Sequence, residues 1–200
     1  MPDYFSGPNP LIFTQMQNSY VFLADGFEEV EALTPVDVLR RAGMAVQTVS
    51  IMPGRTAVTG AHGVKVEADL ELDAIDIKFA EWLILPGGMP GAENLANCRK
   101  LTDLIEHQHK QGGKIAAICA SPGVVLGPLG VLDGIDATGY PGFEKGAPHA
   151  QWQGSSVVAT PQVVTGKGPA AALRFSLALV AQSLGVAFAD DIAAAMQVEK

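Results

Sequence analysis

A cysteine that directly follows a short apolar run is the residue best placed for nucleophilic chemistry. Residues 115–118 read Ile-Ala-Ala-Ile, a run typical of a strand buried on both faces, and Cys119 comes next. Ser121 and Pro122 predict an N-cap and a first helical residue, so a helix is expected immediately afterwards. Such a turn exposes its residue as a nucleophile elbow, and the helix end would favour the thiolate. A buried structural cysteine is the competing interpretation.

Two other predicted strands end in residues that bear on this cysteine. Glu31 lies just past the first strand, in an acidic segment that enters a helix. Gly87 and Gly88 form a tight turn with free N–H groups after a second strand. Because the carboxyl ends of parallel strands meet at one edge of a sheet, these residues are expected to lie near Cys119. That convergence favours the chemical interpretation of the cysteine.

The alternation of strands and helices predicts the fold class. Apolar runs and helical spacing alternate along the chain, which is typical of an α/β, doubly wound sandwich with a mostly parallel sheet. The first helix begins either near Glu29, with Pro35 inside it, or at Thr34 as an N-cap, and the helical spacing that includes Ala32 favours the first start. Strands are predicted over 20–24, 46–51, 82–85, 115–118, 157–160 and 163–165, with a hairpin within 56–70. Helices are predicted to end at Gly43, to begin at about Gly91, and to run over about 99–111, 169–184 and 188–196.

Composition excludes several classes of protein. The net charge of −8 argues against a nucleic-acid partner or an anionic membrane surface. Two cysteines make no disulfide framework, no signal-peptide pattern opens the chain and no apolar run reaches membrane-spanning length, so a cytoplasmic location is expected. Residues 1–18 lack periodicity and are interpreted as an extension, with Met16 as a hypothetical natural start. Residues 19–200 are expected to form one domain.

The residue types near Cys119 suggest a mechanism. A partly desolvated Glu31 would have a raised pKa, would stay protonated beside the sulfur, and could move protons between carbon and oxygen of a substrate. The backbone N–H groups of Gly88 and Ala120 could form an oxyanion hole. The glycine turn is too incomplete for a dinucleotide fingerprint, no phosphate loop is present and no spacing of histidines or cysteines suits a metal. No cofactor and no metal are expected.

Three segments, in order and at the right separations, resemble one family. ADGFEEVEALTPVDVLRRAG, LILPGGMPGAENL and AAICASPGVVL are similar to the corresponding blocks of the ThiJ/PfpI superfamily, the group of the Parkinson-associated protein deglycase. The resemblance covers about residues 19–196. It implies a flavodoxin-like, three-layer α/β/α fold related to class I glutamine amidotransferases, and a homodimer. It also implies that Cys119 is the nucleophilic, oxidisable cysteine, that Glu31 is its protonated partner, and that Gly88 and Ala120 supply the oxyanion N–H groups.

The chain departs from the family pattern at three places. The peptidase branch has His directly after the cysteine, and Ala120 stands there, so peptidase activity is not expected. The deglycase branch often has His before Pro where this chain has Tyr140 and Pro141. His62 stands where relatives often carry an Arg that reaches the neighbouring subunit's site. Tyr140, Pro141 and His62 are therefore candidates for lining the substrate site, and they leave the substrate open.

The leading hypothesis is a cofactor-free glyoxalase or deglycase that acts on 2-oxoaldehydes or early glycation adducts of proteins. Cys119 would add to the carbonyl, and Glu31 would carry a proton through an enediol. The alternative is a redox-sensing stress-response chaperone in which peroxide oxidises Cys119. A role related to thiamine biosynthesis is a weaker alternative.

Overall fold

The computed structural model places parallel strands in a central sheet with helices on both faces. It describes residues 17–75, 78 and 80–198, so all but the last two residues of the predicted extension 1–18 lie outside the described residues. The strands are β1 Ser19–Leu23, β2 Val46–Ser50, β3 Ala57–Thr59, β4 Lys65–Glu67, β5 Leu70–Glu71, β6 Trp82–Leu85, β7 Lys114–Ile118, β8 Asp136–Ala137, β9 Gln151–Trp152, β10 Val157–Ala159 and β11 Val163–Gly166. The helices are α1 Glu29–Arg41, α2 Gly91–Asn97, α3 Arg99–Lys110, α4 Ala172–Leu184 and α5 Val186–Ala195.

The order of the strands creates a crevice beside β1. Within the described residues the main sheet runs β10-β11-β7-β6-β1-β2-β5, and every pairing is parallel except that of β10 with β11. The chain builds outward from β1 through β2 and then returns to β6 on the other side, so the order reverses between β1 and β6. Ligands bind outside the carboxyl ends of the strands at such a point. The predicted doubly wound, mostly parallel sheet is confirmed.

Two apolar cores fix the sheet between its helices. Ala116 and Ile118 pack into one core with α1, α4 and α5, whereas Ile115 and Ala117 pack into the other with α2 and α3. Side chains of successive strand residues point to opposite faces, so a strand buried on both sides must be apolar throughout. The run before Cys119 is apolar throughout. Helices cover both faces of the sheet, so the fold is a three-layer sandwich.

Helix α1 begins where the helical spacing predicted. Its first residue is Glu29 and Pro35 lies inside it, so the start at Thr34 is wrong. Glu28 is the N-cap, because its carboxylate accepts a hydrogen bond from the N–H of Glu31 (2.7 Å). That bond fixes the first turn of α1. This turn carries Glu31 and lies near the carboxyl end of β1.

The segment after Cys119 is not the regular helix that Ser121 and Pro122 predicted. Ser121 is no N-cap: it has helical backbone angles, and its hydroxyl donates to the carbonyl of Pro86 (2.6 Å). A π-helical turn of five residues, Pro122–Leu126, follows and ends at Gly127, whose N–H donates to the carbonyl of Pro122 (2.9 Å). A turn this short sums few peptide dipoles, so it gives little support to a thiolate.

In the described part of the chain, every helix is too short or too polar to cross a bilayer.

Candidate active site

Glu31 is fully buried at the carboxyl end of β1. Its Oε2 atom accepts a hydrogen bond from the N–H of Gly87 (2.8 Å). Its other oxygen, Oε1, is buried and accepts no regular hydrogen bond from the described residues. The thiol of Cys119 is the side chain that interacts with this carboxyl. A proton on Oε1 that is donated to the sulfur satisfies both groups, because a protonated carboxyl is a donor as well as an acceptor.

Gly87 is the contact point between the acid and the cysteine. A Cβ at position 87 would lie 2.6 Å from the Cβ of Cys119 and 2.7 Å from Oε2 of Glu31. Real Cβ atoms do not approach other heavy atoms so closely, so only glycine lets the two side chains meet here. The carbonyl of Gly87 also accepts from the N–H of Glu28 (3.0 Å), which ties the turn after β6 to the start of α1.

Cys119 sits on a sharp turn with φ of +66°. A residue with a side chain rarely adopts this left-handed conformation, which costs about 1–2 kcal/mol. The N–H of Cys119 donates to the carbonyl of Gly166 (2.9 Å), and the N–H groups of Gly88 and Ala120 point at its sulfur. The predicted elbow is present, but the residue is only 8% exposed, so the protein shields most of it from solvent.

The acid and the thiol titrate as a pair. Burial raises the pKa of Glu31 to about 7, and the hydrogen bonds from Cys119 and Gly87 only partly oppose this. Burial, followed by the charge and hydrogen bond of Glu31, raises the pKa of Cys119 to about 12, against the smaller opposing effect of the N–H groups of Gly88 and Ala120. The two groups therefore share one proton between these pKa values. The expectation of a raised pKa for Glu31 agrees with this. The N–H groups behind Cys119 lower the pKa of its thiol, as expected, but burial and Glu31 outweigh them.

His62 lies on the turn between β3 and β4, where it contacts α1 instead of Cys119. Its N–H donates to Oε1 of Glu29 (2.7 Å) and its Nδ1 lies 2.7 Å from Oε2 of the same carboxylate. Glu29 raises the pKa of His62 through this hydrogen bond and through its charge. Ligand atoms of Glu28, Glu29 and His62 lie within 4.8 Å of one another, a proximity that the sequence spacing did not indicate. Hydrogen bonds within the protein account for this cluster, and the expectation of no metal stays a prediction.

Tyr140 and Pro141 line a neighbouring cavity of about 440 Å³ whose lining does not include Cys119 or Glu31. The backbone still joins this cavity to the elbow, because the N–H of Tyr140 donates to the carbonyl of Cys119 (2.8 Å). The structure thus brings Cys119, Glu31, Gly87, Gly88 and Ala120 together. It puts Tyr140 and Pro141 beside them, and His62 against Glu29, the first residue of α1.

Sequence reasoning missed two contributors to the site. Glu28 acts as the N-cap that positions Glu31, and the signal for it was an acidic residue three positions before the buried one. Gly166 ends β11 beside β7 and accepts the N–H of Cys119. The signal for Gly166 was a further parallel strand ending at the same edge of the sheet.

Comparisons with known proteins match this arrangement. The sequence profile of the DJ-1/PfpI family matches residues 18–182. Protein DJ-1 homolog A of Arabidopsis thaliana is 39% identical over 172 residues, which is 85% of this chain and 44% of that protein. The chain therefore spans less than half the length of this relative. A Caenorhabditis elegans relative named glutathione-independent glyoxalase DJR-1.2 is 33% identical over 153 residues, 76% of this chain and 81% of the relative.

A solved structure supports the same likeness at the level of the fold. The structure titled Toxoplasma gondii DJ-1, oxidized, superposes with a TM-score of 0.86 at 35% sequence identity. It covers 92% of this chain and 100% of the Toxoplasma chain. The flavodoxin-like expectation for the fold is confirmed by this neighbour.

Proposed function

The chain belongs to the DJ-1/PfpI family, and we propose that it is a cysteine-dependent enzyme that converts 2-oxoaldehydes, or their early adducts on proteins, to 2-hydroxy acids. One observation carries the proposal: Cys119 and Glu31 meet around Gly87, at the point where the strand order reverses. The name of the Caenorhabditis elegans relative, a glutathione-independent glyoxalase, supports the same reaction class. The proposed reaction needs no cofactor.

The shared proton sets the starting state. Above about pH 7 the pair holds one proton, because the pKa of Glu31 is raised to about 7 and that of Cys119 to about 12. When this proton lies on Glu31, the sulfur is a thiolate that accepts hydrogen bonds from the carboxyl and from the two backbone N–H groups. The thiolate form is the nucleophile. As a substrate carbonyl reacts with it, the equilibrium between the two positions of the proton shifts towards this form.

The reaction then balances without an external acid or base. The thiolate adds to the aldehyde carbon, and the new oxyanion is stabilised by the N–H groups of Gly88 and Ala120 and takes the proton of Glu31. The Glu31 carboxylate removes the hydrogen from that carbon as a proton, giving an enediolate, and returns it to the neighbouring carbon. The proton of the first hydroxyl moves to the second oxygen, which leaves a 2-hydroxy thioester on Cys119. Water cleaves the thioester, which releases the 2-hydroxy acid and restores the shared proton.

Formation of lactate from methylglyoxal tests this proposal. We expect turnover by the wild-type protein and loss of at least about 1000-fold in Cys119→Ala, since nucleophile and product-forming thioester both disappear. Cys98→Ala is the matched control, because Cys98 is the other free cysteine and lies at the junction of α2 and α3. Turnover by Cys119→Ala at the wild-type rate contradicts the mechanism.

A redox sensor is the second candidate, favoured by the Toxoplasma relative that was solved in an oxidised form. Peroxide would oxidise the Cys119 sulfur stepwise to the sulfinic acid, consuming two equivalents and releasing water, with Glu31 donating a hydrogen bond to the product. A protein without turnover in which mild peroxide oxidises Cys119 before Cys98, read by mass spectrometry, favours this function. Oxidation of Cys98 first argues against it.

The proposal includes a homodimer. Val30 and Leu33 are exposed apolar residues one helical turn apart on α1, and Val64 is exposed on the adjacent β3–β4 turn, where its N–H contacts Glu29. Apolar side chains grouped around the start of α1 suit a second copy of the chain, and a copy bound there would lie next to the first turn of α1, which carries Glu31.

A further inference from the structure

The cavity of about 440 Å³ beside the elbow has a lining that differs in charge from the rest of the protein. The chain carries a net charge of −8, yet the lining holds two cations, Lys167 and Arg174, and no carboxylate. In the described part of the chain neither cation pairs with an acid, and Lys167 contacts a carbonyl oxygen, that of Gly154 (3.4 Å). Two cations without an acidic partner among the described residues are available to an anion in the cavity.

The remaining lining is apolar or weakly polar. Tyr140, Pro141, Ser156 and the Gly-Pro-Ala-Ala segment 168–171, which leads into α4, complete the lining. A ligand that fits this surface has an anionic end for the cations and a short apolar stem for the prolines and alanines.

Backbone hydrogen bonds tie this cavity to Cys119 from two sides. The residue before Lys167 is Gly166, whose carbonyl accepts the N–H of Cys119 (2.9 Å), and Tyr140 donates its N–H to the carbonyl of Cys119 (2.8 Å). Gly168 lies against the ring of Tyr140, since a Cβ there would be 3.3 Å from the ring atom Cδ2. The backbone at Tyr140 and at Lys167 is therefore held in a fixed position relative to Cys119.

We propose that this cavity binds the carboxylate of an anionic 2-oxoaldehyde whose aldehyde carbon reacts with Cys119. The inference rests on the proposed function and deepens it by naming the substrate class. Lys167 and Arg174 bind the carboxylate, and Tyr140 and Pro141 pack against the carbon chain that joins it to the aldehyde. The carboxylate takes no part in the chemistry: water adds across the oxoaldehyde as before, so 4,5-dioxopentanoate gives 2-hydroxyglutarate.

The test compares two substrates of equal chain length that differ in charge. We expect the wild-type kcat/KM to be about tenfold or more higher for 4,5-dioxopentanoate than for neutral 2-oxopentanal, the size of one charge-assisted hydrogen bond. In Lys167→Gln and Arg174→Gln this ratio should fall towards one, chiefly through KM. Arg99→Gln is the control, because Arg99 is an exposed cation on α3 that pairs with Asp103, and it should leave the ratio unchanged.

Each outcome separates the cavity from the reaction. Turnover of both aldehydes with a ratio that neither cavity variant changes overturns the anion site and leaves the proposed function standing. If the wild type turns over neither aldehyde, the proposed reaction fails and calorimetry with 2-hydroxyglutarate decides the cavity. Binding that weakens about tenfold in Lys167→Gln and Arg174→Gln supports an anion site there. No binding, or binding that the variants leave unchanged, overturns it.

Discussion

The buried carboxyl of Glu31 shows how a single residue is tuned by its surroundings. The raised pKa of Glu31 could be predicted from the sequence. A glutamate just past a buried strand was expected to lie at the edge of the sheet near Cys119, where it would be partly desolvated. Its mode of support could not be predicted. The N–H of Gly87 reaches Oε2 from the turn after β6, more than fifty residues away, and the Glu28 cap depends on where α1 begins. The contact with Gly87 forms only when β1 and β6 lie side by side in the sheet.

Replacing Glu31 by Gln should change how stability depends on pH. Folding raises the pKa of this carboxyl from the usual 4.5 to about 7, so the folded protein holds the proton more tightly than the unfolded chain. That advantage is complete below about pH 4.5 and is lost as the pH rises to 7, a total of about 3 kcal/mol of unfolding free energy. Glu31→Gln has no such proton. We therefore expect it to gain about 3 kcal/mol relative to wild type between about pH 4.5 and pH 8.

Urea unfolding at a series of pH values measures this difference. Glu93→Gln, which neutralises an exposed carboxyl on α2, is the matched control and should show no comparable trend. A difference between Glu31→Gln and wild type that stays constant across the pH series contradicts the raised pKa of Glu31.

At the scale of the elements, period and composition predicted most of the sheet but not the segment after β7. The run Trp82–Leu85 is a strand with the predicted bounds, because four apolar residues flanked by a loop and a Pro-Gly turn leave little choice. The π-helical turn after Cys119 arises instead from packing. Cβ atoms at Gly123 and Gly127 would overlap the carbonyl groups of Phe143 and Gly146, so the 143–146 loop presses directly on this backbone. Local propensity favoured an ordinary helix, and this distant contact overrides it.

The turn after β6 should tolerate no side chain at position 87. In Gly87→Ala the new methyl group would press on both Cys119 and Glu31, so we expect a loss of about 1–3 kcal/mol in the free energy of unfolding and a fall in methylglyoxal turnover. Gly154→Ala is the control, because a Cβ at Gly154 meets nothing within 4 Å, and its effect should stay within about 0.5 kcal/mol. Urea unfolding and a lactate assay measure both variants, and equal stability of the two would argue against the close contact around Gly87.

At the scale of the whole molecule, the resemblance predicted the family and the fold, while the surfaces that other molecules contact need the coordinates. Charge shows this most clearly. The overall charge of −8 suggests an anionic surface everywhere, yet Lys167 and Arg174 from β11's end and α4 meet in one cavity without an acid among its lining residues. The topology decides which residues share a cavity, and the net charge of a sequence does not show where its individual charges lie.

Assembly is the remaining question at this scale, and the exposed apolar residues on α1 make it testable. Val30 is 50% exposed and Leu33 is 37% exposed. A specific dimer removes about 800 Å² of surface per subunit from water, and these two side chains would be part of that surface. We expect sedimentation equilibrium to give a dimer for the wild type at micromolar concentration and a monomer for the double variant Val30→Glu, Leu33→Glu, because charges buried at an interface are costly. Val186→Glu is the control, since Val186 is 68% exposed at the start of α5, and it should remain dimeric. A monomeric wild type, or a dimer that survives the double substitution, would mean that the start of α1 faces solvent and that the Glu31 turn works without a neighbouring subunit.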